Sequence, residues 1–323
     1  MNGFYLGCDV SGLSTKEIDR TVEGLFRTGL YAAGYGTLRL GERSETDIPA
    51  LEVLRARGFA LDLTVTDEAS AALAGKVHAD AATVCGKDRA KAEVLIKTLR
   101  EAQVRRICLK IQDDADFAWA AGLADVVDIR NIGPEDDYFT VTRHRMDSCR
   151  DGDTDKERSL TKARRDALQP GGRYQFGTLP MEYDEERNLA ILFMAAVLGT
   201  PLVVGPNPDS VTPGVLDALK NRELIMAAKR GVGKVVRYYD PWHMLLGKEK
   251  DAQSRWMLII NRCHGDSFTD VTLEDLGWDE PFMATDVRTG RLLAQSVRQY
   301  SIYVETSDHP GTPCGNLILA EKA

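Results

Sequence analysis

The side chains best placed for chemistry in this sequence are acids and one thiol that stand at the ends of short apolar runs. Glu42 follows residues 37–40, Asp67 and Glu68 follow residues 59–65, Cys85 ends the run 79–84, and Asp128 lies near the end of 124–129. A positioned carboxyl group gives or takes a proton, and a thiolate attacks an electrophile. Each also has a purely structural reading: acids cap the loops that follow strands, and an isolated thiol is among the most buried side chains. No histidine close in sequence stands ready to activate Cys85, since His78 precedes the same run and belongs at its opposite end. The six cysteines (Cys8, Cys85, Cys108, Cys149, Cys263, Cys314) show no C-x-x-C or Cys/His spacing, so neither a zinc site nor a disulfide framework is expected. The charged run 150–158 lacks the spaced ligands and closing glutamate of a calcium loop and reads as a solvated segment. No metal and no cofactor is expected.

These residues need a scaffold, and the chain is long enough to build a large one. Its 323 residues exceed the usual single-domain size, and 43% hydrophobic with 28% charged residues is the composition of a globular protein with a sizeable core. Forty-one Lys and Arg stand against 49 Asp and Glu, a formal charge of −8, which disfavours a nucleic-acid partner. No apolar run approaches the roughly 20 residues that cross a bilayer, so no membrane partner is expected. The first residues lack the basic start and apolar stretch of a secretory leader, which points to the cytoplasm, or to secretion if a leader has been removed.

Up to about residue 230, short apolar runs alternate with amphipathic stretches, the pattern of parallel strands joined by helical crossovers. Eight strands are expected, over residues 4–6, 37–40, 59–65, 79–84, 106–111, 124–129, 174–179 and 201–204. Eight is the number that closes a (β/α)8 barrel of the TIM type, whose active sites lie at the C-terminal ends of the strands. Helices are expected over 14–28, opened by a Ser14–Glu17 capping box, and over 90–103, 185–198 and 215–230. After Gly233 the chain turns to short β-prone segments (234–239, 256–261, 282–286, 301–305, 316–319), read as a small antiparallel β-sandwich. The boundary falls between a barrel domain, 1–232, and a sandwich domain, 233–323.

Several segments, in order along nearly the whole chain, resemble glycoside hydrolase family 27, the α-galactosidases or melibiases. The match runs through Gly29-Leu30-Tyr31-Ala32-Ala33-Gly34-Tyr35, Thr200-Pro201-Leu202-Val203-Val204-Gly205 and Asn221-Arg222-Glu223-Leu224-Ile225. It continues through Trp256-Met257-Leu258-Ile259-Ile260-Asn261-Arg262 and Asp286-Val287-Arg288-Thr289-Gly290. The resemblance implies a (β/α)8 barrel followed by a β-sandwich. It also implies a retaining mechanism in which two carboxyl groups about 5–5.5 Å apart flank the anomeric carbon.

Carried over residue by residue, the family's machinery is altered here. Its nucleophile motif D-Y-L-K-x-D matches residues 80–85, where Cys85 replaces the nucleophilic aspartate and Thr83 replaces a lysine that contacts sugar hydroxyls. Asp128 matches the acid/base aspartate. A second register, Leu109-Lys110-Ile111-Gln112-Asp113 against L-K-x-D, makes Asp113 the nucleophile and requires a bulge. Leu40-Gly41-Glu42 replaces the family's L-D-D, and Gly172-Arg173-Tyr174-Gln175-Phe176-Gly177 lies where two further aspartates are expected. Glu42, Thr83, Tyr174 and Gln175 are then the candidate substrate contacts, and Tyr174, Phe176 and Trp119 are aromatic rings suited to a sugar's apolar face. The implied partner is a galactoside-like carbohydrate. Two readings stay open, a glycosidase with substituted catalytic groups and a non-catalytic carbohydrate-binding or interaction protein on the same scaffold.

Overall fold

The computed structural model of the protein describes residues 4–111, 116–129, 179, 185–199, 201–230, 233–240, 243–261, 267–304 and 314–323. They form two compact units. The first holds seven strands: β1 (Leu6–Asp9), β2 (Thr37–Leu40), β3 (Ala60–Val65), β4 (Ala81–Cys85), β5 (Arg106–Ile111), β6 (Val126–Ile129) and β7 (Leu202–Val204). It also holds helices α1 (Thr15–Arg27), α2 (Leu30–Ala33), α3 (Ile48–Ala56), α4 (Glu68–Lys76), α5 (Arg89–Glu101) and α6 (Phe117–Leu123). All seven strands are parallel, in the order β6-β5-β4-β3-β2-β1-β7. Leu179 donates its N–H to Val203 O at 2.7 Å, on the side of β7 away from β1.

The two faces of this sheet differ in chemistry. Leu38, Leu40, Leu61, Leu63, Ala82, Val84, Ile107 and Leu109 share one face and are all buried, with α3 and α4 lying on β3, α5 on β4, and α6 on β5 and β6. The other face carries, in register, Asp9, Arg39, Asp62, Thr83, Cys85, Arg106, Lys110 and Asp128. Parallel strands covered on both sides usually read as unbroken apolar runs, so a face this polar is the exception that needs partners. They are present. Arg39, only 2% exposed, donates to Tyr5 OH at 2.8 Å and lies 3.5 Å from Asp9. The Arg106 guanidinium stacks over the Tyr5 ring, 3.7 Å from its centroid, and faces Asp62 at 3.8 Å. Asp62, buried like Arg39, accepts a hydrogen bond from Thr83 Oγ1 at 3.0 Å. Burial raises the phenol pKa of Tyr5 more than the two arginines lower it, which keeps the hydroxyl neutral.

The second unit holds α7 (Glu185–Leu198), α8 (Pro213–Lys220), α9 (Arg222–Lys229) and eight antiparallel strands. Six of these form one sheet, ordered β13 (Leu292–Val297), β12 (Phe282–Asp286), β15 (Cys314–Lys322), β10 (Ser254–Asn261), β9 (His243–Asp251), β8 (Lys234–Asp240). The other two, β11 (Ser267–Thr272) and β14 (Gln299–Val304), pair with each other, and the short helix α10 (Leu273–Leu276) follows β11. Val271 and Ile302 of that pair share a core with Met257, Ile259, Phe282 and Ile318 of the larger sheet. Residues 188–197 of α7 are buried on every side, as expected of a helix that is apolar all round. Its C-terminal carbonyl at Ala196 accepts from the buried Lys248 ammonium at 3.1 Å, a cation at the negative end of the helix. Glycine is required at 233, where an added Cβ would come within 2.5 Å of Val197 O.

Several expectations shift. The first strand begins at Leu6 instead of residue 4 and ends at Asp9. The single helix expected over 215–230 is two, because Asn221 is extended (φ −68°, ψ 121°) and its Oδ1 accepts from the N–H groups of Glu223 and Leu224. That makes Asn221 the N-cap of a new helix. Strands β9, β11 and β13 and helices α3, α4 and α6 were not anticipated. The strand expected over 174–179, apart from Leu179, and the charged run 150–158 lie outside the described residues.

Candidate active site

The C-terminal ends of the parallel strands collect the candidate chemistry. Cys85 is the last residue of β4, is solvent-exposed, and pairs in register with Lys110 of β5. Lys110 pairs in turn with Asp128 of β6. Residues paired across parallel strands share a face, so Cys85 and Lys110 lie on one face and Asp128 holds the matching register position on β6, with backbones roughly 4.8 Å apart from strand to strand. The row is held by the turn after β4. Gly86 N donates to Lys110 O at 2.6 Å, and a Cβ at 86 would lie 2.8 Å from that oxygen, so only glycine brings the chain this close.

On the other side of the sheet Asp9 ends β1, with its Oδ1 accepting from Ser11 N (2.9 Å) and Ser11 Oγ (2.6 Å) while Oδ2 faces Arg39. Glu42 is exposed in the loop after β2. Thr83 lies one step below the mouth, 1% exposed, with its hydroxyl directed to Asp62. Asp67 caps α4, accepting from Ser70 N at 2.8 Å, and that bond with the Ser70 hydroxyl holds its carboxyl below the usual range. Trp119 sits on α6, where its Nε1 donates to Glu93 (2.8 Å) and Arg89 lies over its ring. Asp113, Tyr174 and Gln175 lie outside the described residues. Among the described residues, no group of three or more His, Cys, Asp and Glu side chains is arranged to hold a metal ion.

Five polar residues of this face were not singled out as site residues in the sequence: Asp9, Arg39, Asp62, Arg106 and Lys110. Asp9 and Arg39 had a legible signal, since every second residue of a strand shares a face, but reading the first strand two residues early left Asp9 outside it. Lys110 was visible only as part of the motif that leads to Asp113.

No family model matches the chain, and no curated protein matches it. Solved structures do. A GH27 β-L-arabinopyranosidase from Geobacillus stearothermophilus superposes with a TM-score of 0.76 at 13% identity, covering 100% of this chain and 97% of that one. α-Galactosidase I from Mortierella vinacea gives 0.76 at 11% identity, covering 100% and 98%. The α-galactosidase of Saccharomyces cerevisiae gives 0.70 at 12% identity, covering 99% and 97%. The arabinopyranosidase has also been solved with arabinose, and the yeast enzyme with raffinose. The chain therefore has the fold of the family 27 glycoside hydrolases.

Proposed function

We propose that the mouth of the parallel sheet binds an α-galactoside-type sugar and that retaining hydrolysis there is impaired or lost. The reading rests on one observation, the row Cys85, Lys110, Asp128. A retaining glycosidase needs two carboxyl groups flanking the anomeric carbon. Here the register sets a cysteine on β4 and a lysine on β5 beside the position of Asp128 on β6. Asp128 is the residue in position to act as acid/base. Cys85 holds the nucleophile's place, with Asp113 as the alternative, and Glu42, Tyr174 and Gln175 are the proposed sugar contacts, whereas Thr83 is buried below the mouth and bonded to Asp62. The sheet closes as a (β/α)8 barrel, a reading supported by the Leu179–Val203 hydrogen bond on the free edge of β7. The antiparallel strands after residue 232 form the accompanying β-sandwich domain.

The non-catalytic reading is favoured by Cys85, because a thiol stands where the family's motif has its nucleophilic carboxyl. The test is ligand-observed NMR with galactose, arabinose and methyl α-galactoside at millimolar concentration, beside hydrolysis of p-nitrophenyl α-galactoside. Binding that weakens in Asp128→Asn, with hydrolysis near background in both wild type and Cys85→Asp, is expected. No binding of any sugar removes the carbohydrate reading. Robust hydrolysis that is lost in Asp128→Asn and Asp113→Asn but unchanged in Cys85→Ser shows a working enzyme with Asp113 as its nucleophile.

A further inference from the structure

The second unit contains a cleft of about 300 Å³ between α7 and the antiparallel strands. Its wall includes Glu186 and Phe193 from α7, Asp286 at the end of β12, Arg288 from the turn that follows, Tyr303 of β14 and Asn316 of β15. Tyr303 is exposed, and so is Phe268, its cross-strand partner on β11, at 71%. The two rings contact each other with centroids 4.9 Å apart. Phe268 is a large apolar side chain left exposed beside a polar cleft, and such surface commonly marks a binding site.

The polar groups are already oriented by the protein. Asn316 Nδ2 donates to Tyr303 O at 2.9 Å, Asp286 Oδ1 accepts from Thr289 N at 2.7 Å, and Arg288 Nη2 pairs with Glu185 at 3.3 Å. Groups fixed in this way lose little freedom when a ligand binds. A ring for an apolar C–H face, next to planar amide, carboxylate and guanidinium groups for paired hydroxyls, is the chemistry that recognises a sugar. The volume is at the lower end of ligand pockets and suits one sugar unit. Charge narrows the class further. Among the described residues that line the cleft the one cation is Arg288, and it is already paired with Glu185, so uronate, sulfate and phosphate groups meet no free positive charge there.

We propose that this cleft, with the Phe268–Tyr303 pair as its platform, is an accessory binding site for a neutral glycan, separate from the barrel mouth. The test is native affinity electrophoresis of the full chain in gels cast with galactomannan, arabinoxylan or, as an acidic control, alginate. Retardation by a neutral polysaccharide is expected, weakened at least tenfold by Tyr303→Ala and by Phe268→Ala and several-fold by Asn316→Ala. Tyr303→Phe keeps the ring and retains binding, and thermal unfolding of each variant identifies any loss that comes from misfolding. Three results overturn the proposal: no retardation by either neutral polysaccharide, retardation by alginate alone, or retardation lost in Asp128→Asn and kept in both aromatic variants. The last outcome assigns the binding to the mouth and leaves that reading standing.

Discussion

Replacing Asp62 with alanine is expected to cost about 4 kcal/mol of stability, because that carboxylate holds a buried charge in place. Asp62 is 1% exposed, accepts from Thr83 Oγ1 and faces Arg106 Nη2, a buried atom with no hydrogen-bond partner of its own. Without the carboxylate, the Arg106 guanidinium still lies over a tyrosine ring whose hydroxyl already receives Arg39, so two cations crowd one side chain. Breaking a buried ion pair by removing one partner costs about 3–5 kcal/mol. The Arg106 side chain keeps 18% exposure, which places this pair at the low end, about 3 kcal/mol. The acceptor lost to Thr83 adds about 1 kcal/mol. Asp62→Asn, which keeps the volume and one oxygen, should cost less than Asp62→Ala. The double variant Asp62→Ala/Arg106→Met should recover part of the loss, because the orphaned charge is gone. Equilibrium urea unfolding of the four proteins and Arg106→Met completes the cycle. A cost below about 1 kcal/mol for Asp62→Ala, or strict additivity in the cycle, would refute the argument that the pair is energetically coupled.

Two further expectations concern single groups. Cys85 is exposed, whereas Cys8 is fully buried, donates to Gly205 O at 3.2 Å and has its thiol pKa pushed up by burial and by Asp9. Iodoacetamide at about pH 8, followed by peptide mapping, should therefore label Cys85 at least tenfold faster than Cys8, and comparable rates would contradict the placement of both. Glu17 closes the capping box of α1, and the Ser14 hydroxyl and N–H hold its carboxyl below the ordinary glutamate range. A depressed acid lends stability that is present above its unfolded pKa and lost as pH falls through the folded one. Glu17→Gln should therefore reduce the fall in melting temperature between about pH 6 and pH 3, and an unchanged slope would show that the capping box carries no charge-dependent stability.

The alternation of strands and helices in the first unit was legible because its apolar runs are strong and its crossovers regular. β2 and β5 fall on the expected residues, and the Ser14–Glu17 box opens α1 where the sequence signals it. The helices that escaped notice have physical reasons for doing so. α4 reads Glu-Ala-Ser-Ala-Ala-Leu-Ala-Gly-Lys, where alanine supplies helix propensity with almost no contrast between faces, so periodicity has little to register. α3 is only nine residues long and carries Pro49 near its start. The break at Asn221 was hidden for a different reason. An amide side chain that bonds its own backbone ends one helix and starts the next without glycine or proline. In the second unit β9 holds Lys248, Glu249 and Lys250, and strands of that composition depend on pairing with a neighbour, which no local pattern reveals.

The candidate site was legible one residue at a time and illegible as an arrangement. Cys85, Lys110 and Asp128 are 25 and 18 positions apart in sequence, and nothing in their local context says that they stand side by side. Register says so. A parallel sheet converts these separations into neighbouring positions on one face, and a slip of one residue in any of the three strands would have turned its side chain to the helices instead. The same register decides what the substitution of Cys85 means. Taken alone, a cysteine in a nucleophile's place is a single deficit that one replacement could repair. Here the next strand carries Lys110, not an acid, in register with Cys85, and Asp128 stands one strand further on. Of these three register positions the one on β6 is the acid, and for that reason the binding assay is a more decisive first experiment than the hydrolysis assay.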